Sequence, residues 1–424
     1  MSIPTIRPSE PSIEVASRLR PDILLPHEKK LLLTCARLRL DDGDASRIRI
    51  LLKQGVEWNH FLRLTVLHCV TAFVFRHFEA GAADLVPKPA MQFLRNRFQQ
   101  DAADALRNTV HLLELLESFR QQSILAVPYK GPALAVAVYG NVAFRRCNDL
   151  DILVSRADVP RARELLEREG FVPLHPITTA GREFLLQKRH SEIFTREHGP
   201  IVELHWAFAK QRGIFPLDLD MLRPRLLDVT LFGKPIISFA PDDTLLILCA
   251  HGANHLWSRL EWLCGIAELI RSTPLNWSLI MSRARELHSE KALLLGLVLA
   301  VDLLDAPVPE DLVARGRGTR DVNWAVNLVK RKFASGQIEN PEDRSSIERD
   351  LFRLRLQSTN SARMRYLFHR ITTPGRGSTR IMLPVGKRFV PLPAFFRPFH
   401  LLKKLVANAI PWNRGSDLDP KEPA

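Results

Sequence analysis

The chain is poor in cysteine and has no paired cysteine motif. Its five cysteines in 424 residues, Cys35, Cys69, Cys147, Cys249 and Cys264, are scattered, odd in number and free of any C-x-x-C spacing. Neither a disulfide framework nor a thiolate zinc site follows from such a pattern, and a reducing cytoplasm is the expected environment. Long apolar runs are missing as well. The longest, "ALLLGLVLAV" from Ala292 to Val301, is about half of the roughly 20 residues that a spanning helix needs. The opening "MSIPTIRPSEPSIEVASRLRP" lacks an apolar h-region, so neither secretion nor membrane anchoring is expected. No internal repeat and no long low-complexity tract interrupts the chain.

Acid is absent from one region in particular. From Ile371 to Arg414 there are eight Lys/Arg and no Asp or Glu, within a chain of net charge +14. An excess of that sign suits a polyanionic neighbour: a nucleotide, a nucleic acid or an anionic lipid. The segment "RFVPLPAFFRPFHLLKKLVANAIPW" interleaves this charge with aromatics and prolines. It suits packing across a helical domain, or peripheral contact with an anionic membrane, where each basic residue contributes about 1 kcal/mol. An RNA-binding surface is less well supported, because no stacking-aromatic motif lies on a basic strand.

What is present is the composition of a soluble globular protein of two or three domains, 46% hydrophobic and 25% charged. Residues 1–20, aperiodic and bearing Pro and Ser, are expected to be disordered. Residues 21–118 have helical spacing, as in "HEKKLLLTCARLRL" and "DALRNTVHLLELLESF", with loops at the Asp41–Asp44 acidic turn and at "VPKPA". The period then changes. Over 119–240, "SILAVPYKG" reads as a buried strand, "PALAVAVYG" as a short helix closing at Gly140, and "DLDILV" as a second strand. The helix "ADVPRARELLEREG" follows, with Asp158 as N-cap and Gly170 at its end. After "FVPL" come three alternating runs, "REFLLQK", "SEIFTRE" and "IVELHWAF". Residues 241–370 return to helical spacing, opening with an N-capping aspartate pair, Asp242 and Asp243, and 371–424 form the basic tail.

The chemistry concentrates in "NDLDILVS". Strand alternation sends Leu150, Ile152 and Val154 into a core and leaves Asp149 and Asp151 together on the opposite face, about 6.5–7 Å apart at the backbone. Side chains so placed converge on a hard divalent cation, the kind of site that serves phosphoryl and nucleotidyl transfer. Glu203 alternates against Val202 and Leu204, so a strand "IVELHW" paired beside "DLDILV" supplies a third carboxylate. A solvated acidic strand edge is the competing reading.

The stretch "VPYKGPALAVAVYGNVAFRRCNDLDILVSRADVPRARELLEREGF", followed by "KRH" and "GPIVELHWAF", resembles the uncharacterised nucleotidyltransferase family within the polymerase-beta-like superfamily. The resembling marks are Lys130–Gly131, Tyr139–Gly140, Arg145 four residues before the first aspartate, the D-x-D-[ILV]-L-V strand and the later glutamate-x-His-Trp. "HGANHLWSRLEWL" and "MLPVGKRFVPLPAFFRPFHLLKK" extend it toward the end of the chain.

The resemblance implies an α+β fold: a nucleotidyltransferase-like mixed β-sheet with helices, flanked by N- and C-terminal helical regions. It implies a metal-dependent enzyme moving a nucleoside monophosphate from an NTP, with ATP the expected donor, to an acceptor hydroxyl. Asp149, Asp151 and Glu203 would hold Mg2+ or Mn2+, and Lys130, Gly131 and Arg145 would meet the triphosphate. His190 and His205 would contact phosphate or position the acceptor, whose class (small molecule, saccharide, protein or RNA) stays open. His251 and His255, spaced i, i+4 in "HGANH" without the H-E-x-x-H glutamate, suit the wall of an acceptor cleft better than zinc. The turn Lys130–Gly131–Pro132 stands where the superfamily commonly has glycine-serine. That departure keeps a second reading open: a non-catalytic nucleotide-binding or assembly protein on the same fold.

Overall fold

The computed structural model describes residues 26–175, 189–208, 215, 217–335, 347–372, 382–385 and 388–391. The expected disordered segment 1–20, the run "REFLLQK" and the side chains of the basic tail lie outside the described residues.

Five helices open the fold: α1 (Pro26–Cys35), α2 (Asp42–Lys53), α3 (Trp58–Leu67), α4 (Thr71–Gly81) and α5 (Lys88–Gln121). The acidic turn read as a loop is the start of α2, where the Asp41 side chain accepts a hydrogen bond from the Asp44 amide at 2.7 Å and so satisfies one open N–H of the first turn. Helix α5 begins inside "VPKPA", with Pro89 in its first turn, where the missing N–H costs nothing. Its 34 residues reach about 51 Å, long enough to serve two cores. Ala90 and Leu94 enter the helical core, whereas Ala105, Leu112, Leu115 and Phe119 pack beneath the sheet.

The middle of the chain runs β1 (Ala126–Pro128), α6 (Gly131–Tyr139), β2 (Asp149–Val154), α7 (Val159–Arg168), β3 (Val172–Pro173), β4 (Ser191–Thr195) and β5 (Ile201–His205). These strands form one sheet of order β1-β2-β5-β4-β3. β2 and β5 pair in parallel and the other neighbours are antiparallel, so the sheet is mixed. One face carries Leu150, Ile152, Val154, Phe194, Val202 and Leu204 onto α5 and α7. The other face carries the carboxylates and meets the helical core through Tyr129 and Leu153. At α7 the expected Asp158 cap does not form: the Asp158 carboxylate accepts from Ser155 Oγ at 2.9 Å, and that same Oγ accepts from the Asp158 amide at 3.2 Å. The serine competes for the carboxylate more closely than the helix amides do.

A short helix α8 (Leu219–Leu222) and the hairpin β6 (Leu227–Leu231) and β7 (Lys234–Ser238) lead out of the sheet region. Eight helices follow: α9 (Pro241–Asn254), α10 (Leu260–Ser272), α11 (Trp277–Glu286), α12 (Glu290–Leu304), α13 (Glu310–Gly318), α14 (Arg320–Ser335), α15 (Ile347–Arg355) and α16 (Asn360–Thr372). A last hairpin pairs β8 (Met382–Val385) with β9 (Arg388–Pro391). Asp242 and Asp243 lie inside the first turn of α9 rather than at its cap. Asp243 is fully buried between Arg225, 2.7 Å away, and Arg283, 2.8 Å away, and these ion pairs claim the carboxylate that capping would have used. No helix among the described residues is long and apolar enough to cross a membrane.

The helices before and after the sheet share one buried cluster, which draws Leu31, Phe61 and Phe78 from the front and Leu263, Leu295 and Val326 from the back. Polar contacts fasten the two. The Leu38 amide donates to Glu268 Oε1 at 3.3 Å, and the Leu260 amide donates to Nδ1 of the buried His68 at 3.3 Å. Trp257, held at φ 52 with its amide donating to Gly252 O at 2.9 Å, slides its indole between α9 and α12. A Cβ on Gly252 would sit 2.3 Å from that ring, and one on Gly296 would sit 3.1 Å from it.

Two predictions follow from this core. Gly252→Ala forces the Trp257 ring out of its slot and should cost at least about 1–3 kcal/mol in chemical denaturation. Gly318→Ala, with nothing within 4 Å of the new methyl, should be neutral or stabilising. Equal stability of the two variants would remove the slot from the account. Burial first, then the charge of Arg259, pushes the His68 imidazole down to about 4 from its ordinary 6.5. The unfolded chain therefore takes up a proton that folded His68 refuses as pH falls through 6.5 toward 4, and stability drops over that window. Between pH 7.5 and 5.0 this one group should cost about 2 kcal/mol. His68→Gln should flatten that part of the pH profile, and an unchanged profile would count against it.

Candidate active site

The site grows from the parallel pairing of β2 and β5, whose register sets Asp151 opposite Glu203 and Leu153 opposite His205. Asp149 lies two residues before Asp151 on the same face, so all three carboxylates share one patch of the sheet. Strand β4 closes the far side: Ser191 stands opposite His205, and Ser191 Oγ donates to Glu203 Oε1 at 2.6 Å.

Like charges so close need compensation, and His205 and Lys130 supply it. His205 Nε2 lies 2.9 Å from Asp151 Oδ1 and 3.6 Å from Glu203 Oε2, with the Tyr129 hydroxyl 3.0 Å away. Lys130 Nζ sits 3.3 Å from the same Asp151 oxygen and 4.7 Å above the centre of the Tyr129 ring. Burial works against an imidazolium at His205, but Glu203 and Asp151 outweigh it and raise the group to about 9. Burial likewise opposes ionisation of Asp151 and Glu203. Lys130 and His205 nevertheless hold Asp151 below the usual carboxylate range, and His205 and Ser191 do the same for Glu203. Asp149 is the least compensated: burial, reinforced by the charge of Asp151, pushes its carboxyl up to about 6.

The turn at Lys130–Gly131–Pro132 is shaped by packing. Gly131 has φ 59, and a Cβ there would meet Cys147 Sγ at 3.2 Å and Asp149 O at 3.5 Å, so a larger residue would push the start of α6 off β2. Arg145 is buried and makes no ion pair with Asp149; burial disfavours its charge, while Glu261 of α10 and Tyr139 favour it. His190 is at the start of β4, its carbonyl accepting from the Trp206 amide at 2.9 Å, with its ring centroid 5.9 Å from that of His205.

At α9 and α10 three further rings cluster, His251, His255 and Trp262. His251 and His255 lie 4.6 Å apart, and Trp262 is 5.3 and 5.4 Å from them. Burial and then the charge of Lys130 depress both imidazoles, His255 to about 3 and His251 well below its usual value. Two residues of the site went unmarked in the sequence reading. Tyr129 was visible only as the residue before Lys130, and Ser191 only through the alternation that puts it on the Glu203 face.

A mixed sheet with paired carboxylates on an interior strand, a third in register on the parallel neighbour, and a glycine-led helix beside them defines a nucleotidyltransferase-like protein. Residues 54–305 match the family described as uncharacterised nucleotidyltransferase, and the chain belongs to that family. Comparison with curated proteins and with solved structures finds no match. The similar-looking chain ending "LP…RP…L" lies beyond the matched residues.

Asp149 makes no side-chain hydrogen bond among the described residues and is crowded by Asp151. Asp149→Asn should therefore stabilise the metal-free protein in chelator at pH 7.5 by about 1–3 kcal/mol, as read by chemical denaturation. A destabilised variant would show that the carboxylate is held by an attraction absent from this account.

Proposed function

We propose that the protein is a metal-dependent nucleotidyltransferase that moves a nucleoside monophosphate from an NTP, ATP in the first instance, to a hydroxyl of its acceptor. The observation that carries this reading is the in-register pairing of Asp151 with Glu203, with Asp149 on the same face. Three carboxylates on one half-buried edge make an oxygen-rich donor set suited to Mg2+ or Mn2+. Asp149, Asp151 and Glu203 would hold the ions, which supply charge neutralisation at the triphosphate and a more acidic acceptor hydroxyl.

The chain's own groups do the rest. Lys130, already beside Asp151, is placed to turn its ammonium to a phosphate oxygen, and Arg145 adds buried positive charge. His251, His255 and Trp262 would offer a largely neutral wall to the acceptor. The acceptor oxygen attacks the α-phosphorus in line. A new P–O bond forms, the α–β bridging bond breaks, pyrophosphate leaves, and the hydroxyl proton passes to solvent. No general base needs to be assigned.

The alternative, a binding or assembly protein without catalysis, draws support from Lys130 and His205, which already neutralise much of the Asp151–Glu203 charge. Calorimetry with a non-hydrolysable ATP analogue and Mg2+ should show binding to the native protein. In Asp149→Asn/Asp151→Asn that binding should be weaker by at least about a hundredfold. No binding to the native protein with either Mg2+ or Mn2+ would sink both readings. Pyrophosphate release on addition of acceptors, abolished in Asp151→Asn, then separates enzyme from binder.

A further inference from the structure

We propose that His190, Glu203 and His205 form a site, sharing Glu203 with the oxygen edge, for a divalent first-row transition metal that takes imidazole nitrogen, of the Zn2+ or Cu2+ class. One ligand atom from each residue lies within 4.8 Å of the others. A four-coordinate ion with bonds of about 2.0–2.1 Å holds its ligands roughly 3.4 Å apart, so small side-chain rotations close the set around an ion.

The supporting parts are already in place. Glu203 and His205 stand i, i+2 on β5 and so project to one face. The Trp206 amide at 2.9 Å and the Ala207 amide at 3.4 Å both donate to the His190 carbonyl and fix that residue against the end of β5. Ser191 Oγ takes Glu203 Oε1, which leaves Oε2 as the oxygen nearer the histidines, 3.6 Å from His205 Nε2. Neighbours that orient a ligand's second atom in this way are the usual outer support of a metal site.

The donor set chooses the metal class. Two imidazoles with one carboxylate match the softer first-row dications, whereas the all-oxygen edge of Asp149 and Asp151 matches Mg2+. Asp151 Oδ1 and Glu203 Oε2 both face His205 Nε2, 2.9 and 3.6 Å away, so oxygen donors already surround that nitrogen. Glu203 is shared with the oxygen edge, but the site needs no nucleotide and does not rest on the transfer reading.

The full-length protein, freed of metal by chelator and titrated with Cu2+ alone, tests this by electron spin-echo spectroscopy. Nitrogen couplings from imidazole are expected in the native protein and in Asp149→Asn. His190→Gln should lose one of them and weaken Zn2+ binding, measured against a chelating dye, by at least tenfold. Bound Cu2+ without nitrogen coupling overturns the proposal while leaving the Mg2+ edge of the transfer reading untouched. Zn2+ affinity unchanged in His190→Gln overturns it too, as does failure of the native protein to bind either metal. The native spectrum stands by itself should His190→Gln fold poorly.

Discussion

The parallel pairing of β2 with β5 governs the molecule, because it places Asp151 directly across from Glu203 with Asp149 beside them. Two unit charges 4 Å apart repel by about 4 kcal/mol at an effective dielectric constant of 20, a large share of the roughly 5–15 kcal/mol that holds a typical domain together. Strands carrying that repulsion can pair only if positive charge arrives with them. His205 comes on the same strand as Glu203, and Lys130 comes from the turn after β1, the strand that pairs with β2, so the compensating groups arrive with the sheet itself.

That arrangement ties the helical layers to the sheet. The carboxylate face can be neither open to bulk water nor packed with apolar side chains, and the residues around it settle the matter by position. Tyr129 and Leu153 carry the helical core up to the edge of the patch, while His251, His255 and Trp262 cluster in the helical layer whose charge environment includes Lys130. These two histidines are held neutral by burial and by Lys130, whereas His205 is held charged by its carboxylates. One residue type thus takes opposite protonation states in one region, and the sign of the nearest charge decides which. His68 follows the neutral pair, since its ring is buried against Phe333 with its Nδ1 accepting from the first turn of α10.

Period-two alternation was enough to put Asp149 and Asp151 on one face and Leu150, Ile152 and Val154 on the other, and Glu203 could be nominated by the same rule. The family resemblance reads from those residues because the motif is local. Strand order does not. Whether β5 lies beside β2, and in which register, depends on a crossover of several dozen residues and on what α5 and α7 bury, and no short stretch encodes that. The misread caps have a related cause. Asp158 and Asp243 are good capping residues by type, but Ser155 in one case and Arg225 with Arg283 in the other reach the carboxylate first, and those partners come from the surrounding fold. Arg145 differs for the same reason: its setting is α10, more than a hundred residues away in sequence.

The turn before α6 shows how the same constraint bears on ligand chemistry. Where the superfamily commonly places a small hydroxyl residue, this chain has Lys130–Gly131–Pro132. Gly131 is held at positive φ against Cys147 and the β2 backbone, and Pro132 removes one of the amides at the start of the helix. With no hydroxyl and one amide fewer, the helix start offers an anion less than an ordinary one does. Positive charge must therefore come from side chains. Lys130 has it, but shares it with Asp151, and Arg145 has it but is buried. A cation bound by the carboxylates would relieve Asp151 of its need for Lys130 and free that ammonium for a phosphate. In the proposed complex, metal and nucleotide would thus bind with positive coupling, because each makes available to the other a charge that Lys130 and Asp151 otherwise spend on each other.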